Sequence, residues 1–230
     1  MCGRILVTSP GATIAEFFEL LEVPDLSPRF NVAPSQEVGT VAQATEGRAF
    51  VPRRWGLIPS WAGEASIGDR MINARSESVA EKPAFRDAFA RRRCLVPADG
   101  FYEWTGRTRG RAPHHFRRRD GQPLAIAGVW EAWTIPSGDG VVESFALLTT
   151  EANSTVRPIH GRMPVLLAPE HFSTWLDPEN DDRAALQRLL VPCPAAWLEA
   201  RPVSSHVNDP RNDDPRCLDA PAPESQPKLF

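Results

Sequence analysis

Cysteine stands at position 2, directly after Met1. Removal of that Met leaves one residue carrying both a free α-amine and a thiol, a 1,2-aminothiol. With reference pKa values of about 7.7–8.0 for the amine and about 8.5 for the thiol, a minor fraction of each is nucleophilic near neutral pH. An aldehyde is the natural target: the amine condenses to a Schiff base, and the adjacent thiol closes a five-membered thiazolidine without a diffusive search. A Cys after Met is weak on its own, so its company decides. Glu103, in ADGFYEW between Tyr102 and Trp104, sits in an apolar setting that raises a carboxyl toward the range useful for acid/base work; the competing reading is a Glu on the wet side of a strand. His160, in RPIHGRMPV, has the Pro/Gly context of a loop, where a functional imidazole is at home, as against a core histidine. Asn73, in MINARSES, offers a donor and an acceptor to a sugar oxygen or a terminal amine, or else simply occupies a turn. Arg4, Arg75 and Arg162 each stand beside one of these groups, which suits phosphates on both sides of a reacting sugar. Trp55, Trp61 and Trp104 add stacking faces for unpaired bases, although most of the 7 Trp belong to the core.

The elements that must carry these residues are mainly strands. Runs at 2–8, 38–43, 48–57, 93–104, 114–118, 124–133, 144–150 and 163–167 read as strands. Helical periodicity marks 13–21, with Thr13 as its cap, and 83–92, 169–176 and 183–190. The Pro-rich stretch VPDLSPRFNVAPSQ reads as a loop. This predicts an α+β fold with a curved, mostly antiparallel, barrel-like sheet and a few flanking helices. Residues 1–209 form one domain in this reading, and residues 210–230 a polar, Pro-rich tail, peripheral or disordered.

Composition narrows the function classes. A chain of 230 residues with 42% hydrophobic and 24% charged residues is an ordinary globular protein. No apolar run approaches the roughly 18 residues of a membrane span, and no secretion signal is visible at the N-terminus, so an intracellular location is expected. The four cysteines, at 2, 94, 193 and 217, make no CxxC pair and no zinc-type spacing, so neither disulfide nor metal is expected; Cys94 and Cys193 read as buried hydrophobes and Cys217 as a tail thiol. The net charge of −3 argues against indiscriminate nucleic-acid binding. Cations nevertheless crowd one region, at Arg91, Arg92, Arg93, Arg107, Arg109, Arg111, Arg117, Arg118 and Arg119, and a locally basic face there is able to meet phosphate.

Seven motifs, MCGR, RFNVAPSQ, RRWGLIPSW, INARSES, CLVPADGFYEW, IHGRMPV and PVSSHVND, occur in order from residue 1 to about residue 209. Together they resemble the SRAP family, the SOS response-associated peptidase or abasic site processing proteins. The resemblance implies a single SRAP domain whose positively charged cleft binds single-stranded DNA and whose N-terminal Cys traps a ring-opened abasic site as a thiazolidine. Cys2 takes the nucleophile's place. Glu103 matches the acid/base residue, His160 the residue assisting ring opening and Schiff-base chemistry, and Asn73 the residue positioning the sugar or the amine. Arg4, Arg75 and Arg162 match residues that hold the DNA backbone, and Asn31, Pro34, Trp55, Trp104 and Met163 fall in segments lining the cleft. The expected protein is a monomer without cofactor or metal, located in the cytoplasm at the nucleoid, with AP-lyase activity as a side reaction and room for contact with the replication machinery. The rival readings are an N-terminal-nucleophile cysteine peptidase or amidohydrolase and a non-catalytic single-stranded-DNA-binding module.

Overall fold

The computed structural model describes residues 2–106 and 111–222; Arg107 and Arg109 of the basic run and residues 223–230 of the tail lie outside the described residues. In chain order the elements are β1 (Ile5–Val7), α1 (Gly11–Phe18), β2 (Arg29–Val32), β3 (Glu37–Ala44), β4 (Gly47–Trp55), β5 (Asn73–Arg75), α2 (Arg86–Arg91), β6 (Arg93–Ala98), β7 (Gly100–Thr105), β8 (Ala112–Arg118), β9 (Leu124–Thr134), β10 (Val141–Glu151), β11 (Arg162–Pro164), α3 (Phe172–Leu176), α4 (Arg183–Arg188) and β12 (Leu198–Pro202). Short 3₁₀ turns link several of them. Among the described residues no helix is long and apolar enough to cross a membrane.

Two sheets carry the fold. In the first, β3 lies antiparallel to β4 and to β6, β6 to β9, and β9 to β10, while β10 returns to β4 in parallel through Ser144↔Arg54 and Phe145↔Trp55. The ring of β3, β4, β10, β9 and β6 therefore closes on itself, which removes the open edges a flat sheet would expose. The α+β expectation, with its barrel-like and mostly antiparallel core, is met. Barrel strands β6, β9 and β10 read largely as apolar runs because both of their faces are buried along most of their length. On one face Cys94, Val96, Phe145 and Leu147 meet Ile5, Phe101 and Phe116 of the second sheet. On the other, Leu95, Ala146 and Leu148 pack with Phe18, Phe89, Trp175 and Leu186 of the helices. Gly128 is required in β9 because a Cβ there would approach Cys94 Sγ to 3.0 Å and the Ala146 carbonyl oxygen to 3.2 Å.

The second sheet has the order β12-β8-β7-β1-β2. Alternation along β7 sends Phe101 inward, where its ring stacks on Phe116 at 4.9 Å, and Tyr102 outward, beneath Val203, Val207 and Cys217. The predicted strand 93–104 is in fact two, because the chain turns at Asp99 from one sheet to the other. The Asp99 carboxylate fixes that corner by accepting from Thr8 N at 2.5 Å, Ser9 N at 2.7 Å and Ser9 Oγ at 2.5 Å. The stretch read as a Pro-rich loop contains β2, and α1 begins at Gly11 with Pro10 at its N-cap position instead of Thr13.

Two further expectations are corrected. Among the described residues the arginine run is not one continuous open basic face, although Arg91, Arg111, Arg117 and Arg119 keep exposed surface. Arg93 is 2% exposed and donates to the carbonyls of Trp175 (2.6 Å), Phe89 (2.8 Å), Ala90 (2.6 Å) and Asp177, tying α2 and α3 to the barrel, and burial draws its pKa down to about 10. Arg92, Arg117 and Arg118 pair with Glu131, Glu199 and Asp120 at 2.7, 2.6 and 2.5 Å. Nor is the stretch 210–222 peripheral: Cys217 is fully buried, and the Asp213 carboxylate accepts from the backbone N–H groups of Phe30 (2.5 Å) and Asn31 (2.9 Å) while pairing with Arg29. The outer edge of β2 is thus satisfied by a side chain, which a reading of polarity alone misses. Asp213→Ala, by stranding those two N–H groups, is expected to lower stability by about 2 kcal/mol and Tm by roughly 4–8 °C, as read by thermal unfolding.

Candidate active site

Three parts of the fold converge on Cys2. Residues 2–4 lead into β1, which lies antiparallel to β7 with Ile5 opposite Phe101; Tyr102 N–H donates to the Arg4 carbonyl at 3.0 Å, so the pairing continues toward Glu103. From the barrel, β5 runs parallel to β10 with Asn73 opposite Leu147, and Asn73 Nδ2 donates to the Cys2 carbonyl at 2.7 Å. Asn73 Oδ1 is buried and has no hydrogen-bond partner among the described residues. From the loop before β11 comes His160, whose Nδ1 is 3.9 Å from Glu103 Oε1. That loop is held firmly: Asn153 Oδ1 accepts from Thr155 N and Val156 N at 3.1 Å, and His160 N donates to the Val156 carbonyl at 3.0 Å. Cys2, Asn73, Glu103 and His160, separated widely in sequence, are therefore neighbours.

Burial sets the electrostatics. Cys2 has no exposed surface, and desolvation first, then the charge of Glu103, push its thiol well above the ordinary cysteine range. Burial thus works against the thiolate fraction that the sequence alone suggests at Cys2. Glu103 is 3% exposed, and burial pushes its carboxyl up, against the opposing pull of His160 and Arg111. His160 Nδ1 lies 3.0 Å from both the Arg162 N–H and the Arg162 carbonyl oxygen, so the backbone of Arg162 holds the ring whether Nδ1 accepts or donates. A carboxyl and an imidazole so arranged can exchange protons with a group held at Cys2.

The cationic residues divide. Arg75 is exposed at the end of β5. Arg162 donates twice to the Glu77 carboxylate, at 2.5 and 2.9 Å, and to the Thr149 carbonyl at 2.6 Å. Arg4 donates to Asn31 Oδ1 at 2.5 Å and to the Val207 carbonyl at 2.8 Å. Trp104 is half-buried, with the guanidinium groups of Arg4 and Arg111 5.6 and 5.4 Å from its ring centroid and its Nε1 donating to Asn208 Oδ1 at 2.6 Å. Trp104, Arg111 and Ile159–Gly161 line an open cleft of about 770 Å³ that reaches His160. Pro34 is half-buried in the turn after β2, and Trp61 is 60% exposed.

Three of the residues expected along a DNA cleft have no surface to offer. Trp55 is fully buried, stacked on Phe145 with its Nε1 donating to the Ile72 carbonyl at 2.9 Å. Met163 is fully buried beneath the Asn153 backbone, and Asn31 spends its amide on the carbonyls of residues 207, 209 and 212. Their sequence motifs are those of packing and of segment anchoring, and the expectation of direct contact is corrected for all three. Sequence reasoning also missed Glu77, the partner of Arg162, and Asn153, which shapes the His160 loop. The second was readable as an Asx turn in EANST.

Among the described residues no group of three or more His, Cys, Asp or Glu side chains could hold a metal ion. The fold and this constellation define a class. Residues 1–210 match the SOS response associated peptidase (SRAP) family, and the chain belongs to it. It is 39% identical to the abasic site processing protein YoqW of Bacillus subtilis (strain 168), over 96% of this chain and 100% of the relative. It is 32% identical to the abasic site processing protein HMCES of Gallus gallus, over 74% of this chain and 57% of the relative's length. A solved protein from Bacteroides thetaiotaomicron, 23% identical, shares the fold with a TM-score of 0.84 over 95% of this chain and 99% of that one. A solved protein from Bordetella bronchiseptica, 27% identical, superposes with a TM-score of 0.74 over 88% of this chain and 100% of its own.

A carboxyl raised by burial weakens the folded state above its unfolded pKa, because the folded protein then pays to ionise it. Glu103→Gln, which removes that ionisation, is therefore expected to raise Tm at pH 8, with the gain shrinking as pH falls through the ordinary carboxylate range near pH 4. Calorimetric unfolding across pH 4–8 measures this; a gain that does not change with pH contradicts the assignment.

Proposed function

We propose that the protein captures abasic sites in single-stranded DNA, forming a covalent thiazolidine through Cys2 once Met1 has been removed. The observation that carries this reading is the meeting of Cys2, Asn73, Glu103 and His160 at one point, with the Cys2 carbonyl held by Asn73 Nδ2 at 2.7 Å. Family membership and relatives named as abasic site processing proteins support the same substrate.

An abasic sugar rests mainly as a closed hemiacetal, so its ring oxygen must gain a proton and its anomeric hydroxyl lose one before the C1′ aldehyde appears. His160, at the end of the open cleft, is placed for that exchange. The Cys2 amine then adds to C1′, and the carbinolamine loses its hydroxyl as water with a proton from Glu103, whose raised pKa keeps the acid form available to higher pH. Now ionised, Glu103 is the base for the buried thiol. The sulfur bonds to the imine carbon, the imine nitrogen keeps its proton, and the thiol proton goes to the carboxylate. The sum is aldehyde plus aminothiol giving thiazolidine plus water. Asn73 holds the Cys2 backbone so that amine and thiol reach one carbon. Arg75 at the exposed end of β5, with Arg4 and Arg162 nearer the core, supplies charge for the flanking phosphates, and no base edge need be read, so binding should be salt-sensitive and indifferent to sequence.

Incubation with abasic single-stranded DNA followed by a denaturing gel tests the proposal. The wild type is expected to give a heat-stable crosslink, Cys2→Ala none, and Cys2→Ser at most a reversible imine trapped only by borohydride. Glu103→Gln and His160→Ala are expected to slow crosslinking by about 10²–10⁴-fold while changing DNA affinity less than threefold. A crosslink that survives in Cys2→Ala, or mass spectrometry showing Met1 retained on protein that crosslinks, overturns the mechanism. Turnover of peptide amides without any crosslink would favour a peptidase.

A further inference from the structure

The turn after β5 places a carboxylate among the cations of the Cys2 face. Directly opposed residues of paired strands share a face, and every second residue of a strand returns to it. Asn73 is opposite Leu147, Arg75 opposite Thr149 and Arg162 opposite Glu151, so Asn73, Arg75 and Arg162 all stand on the side of the sheet on which Asn73 meets Cys2. Glu77 reaches this side from the turn, whose backbone is fixed by Ser76 N–H donating to the Thr149 carbonyl at 2.9 Å and Ser78 N–H to the Arg75 carbonyl at 3.1 Å. Its carboxylate accepts from both terminal nitrogens of Arg162, at 2.5 and 2.9 Å. The Arg162 hydrogen bonds first, and the nearby charges of Arg162 and Arg75 after them, hold the Glu77 carboxyl below the usual carboxylate range, so it is ionised near neutral pH.

Two parallel N–H···O bonds to two oxygens of one anion are also the way a guanidinium grips a phosphate. Glu77 therefore stands where an incoming phosphate would be bound, and it does so at the water-facing edge, with 52% of its side chain exposed against 20% for Arg162. An exposed ion pair of this kind is weak and screened by salt, so a phosphate can exchange for it. Arg162 does not depend on Glu77 alone for its position. It also donates to the Thr149 carbonyl at 2.6 Å and to Thr149 Oγ1 at 3.3 Å, which keeps the guanidinium over β10 when the carboxylate leaves. The chain as a whole carries a net charge of −3, so attraction for DNA rests on local cations, and cancelling one of them on the Cys2 face weakens binding to any strand, damaged or not. A protein that captures its substrate covalently loses little by this, because the bond retains an abasic strand, whereas an undamaged strand is held by charge alone.

We propose that Glu77 is a specificity-determining residue that occupies the phosphate position on Arg162 and so limits the protein's hold on undamaged single-stranded DNA, a role that rests on single-stranded DNA being the substrate. Fluorescence anisotropy of the full-length protein with a labelled undamaged oligonucleotide across a salt series tests it, in the wild type, Glu77→Gln, Arg162→Ala and the double variant. Glu77→Gln is expected to bind at least threefold more tightly at low salt, with the slope of log affinity against log salt steeper by about 0.7, the increment for one more phosphate on a single strand. In the Arg162→Ala background the gain is expected to fall below twofold. Excess undamaged strand is expected to slow crosslinking of an abasic oligonucleotide more in Glu77→Gln than in the wild type. Weaker binding by Glu77→Gln, which would mean that Glu77 orients Arg162 for phosphate, overturns the proposal, as does unchanged binding or a gain equally large without Arg162. Binding of an undamaged strand needs no reaction at Cys2, so a Glu77→Gln gain without any crosslink sinks only the capture chemistry, and crosslinking with no such gain sinks only the role of Glu77.

Discussion

Strand β10 has partners on both edges along most of its length, and the rest of the molecule is arranged around that fact. Ser144 lies between Glu131 of β9 and Arg54 of β4, Leu147 between Gly128 of β9 and Asn73 of β5, and Thr149 between Pro164 of β11 and Arg75 of β5. One edge is thus β9 followed by β11, and the other β4 followed by β5. A buried strand must pair every N–H and C=O, and β10 does so by recruiting two long partners that close the barrel and two three-residue partners that do not extend it. The short partners carry candidate site residues. Asn73 and Arg75 arrive on one side of β10 and Arg162 on the other, at a fixed separation set by the ladder spacing. Loops alone would not hold such groups to a fraction of an ångström, and here the backbone of a barrel strand does it.

Burial also sets the electrostatics of the neighbouring Cys2 and Glu103. Cys2 lies in a core cluster with Ile5, Val32 and Trp55 and is inert at rest because desolvation and Glu103 both oppose its thiolate. For the proposed chemistry, in which the thiol reacts once, a protonated sulfur is an advantage because it resists oxidation and stray alkylation. On that proposal, reaction depends on a substrate that first engages the amine and so brings its carbon to the sulfur, with Glu103 as the acceptor of the proton. A buried carboxyl near a buried thiol is destabilising in the resting protein, a common feature of functional sites.

The sequence made the candidate site more legible than the fold. Cys2, Asn73, Glu103 and His160 stood out by residue type in unusual local settings, and those settings, apolar around Glu103 and loop-like around His160, are what the structure contains. What sequence could not tell was the difference between a residue that faces a cleft and one that packs behind it. Trp55, Met163 and Asn31 lie in the same motifs as exposed residues, and burial is decided by tertiary neighbours such as Phe145 and the carbonyls of residues 207–212. Secondary structure failed where local chemistry is supplied from afar. The strand β2 hides among prolines because its outer N–H groups are met by Asp213, roughly 180 residues away in sequence, and the break between β6 and β7 falls at Asp99, where Pro97 and the Asp99–Gly100 pair are turn signals that the continuous-strand reading passed over. The arginine run misled in part for the same reason: Arg92, Arg93 and Arg117 spend their guanidinium groups on carbonyls and carboxylates contributed by other elements, whereas Arg111 lines the cleft beside His160.

One strand pair illustrates how far such a fold can be shared. Along β7 and β8, alternation directs Phe101, Glu103 and Phe116 toward the barrel and Tyr102 and His115 away from it. The inward set packs against the Cys2 cluster, and the outward set sits under the C-terminal 3₁₀ turns around Val207 and Cys217. Because successive residues alternate faces, a substitution at His115 or Arg201 alters one side chain layer without displacing Glu103, provided the ladder itself stays paired. The backbone of β7 is the common support, and the two faces differ in what they do with a buried titratable group. On the inner face Glu103 and His160 are neighbours; on the outer face His115 is held neutral by burial first and then by the Arg201 and Arg117 cations. A single sheet thereby keeps an acid/base pair and an uncharged donor–acceptor within a few residues of each other, insulated by the thickness of the sheet and its aromatic layer.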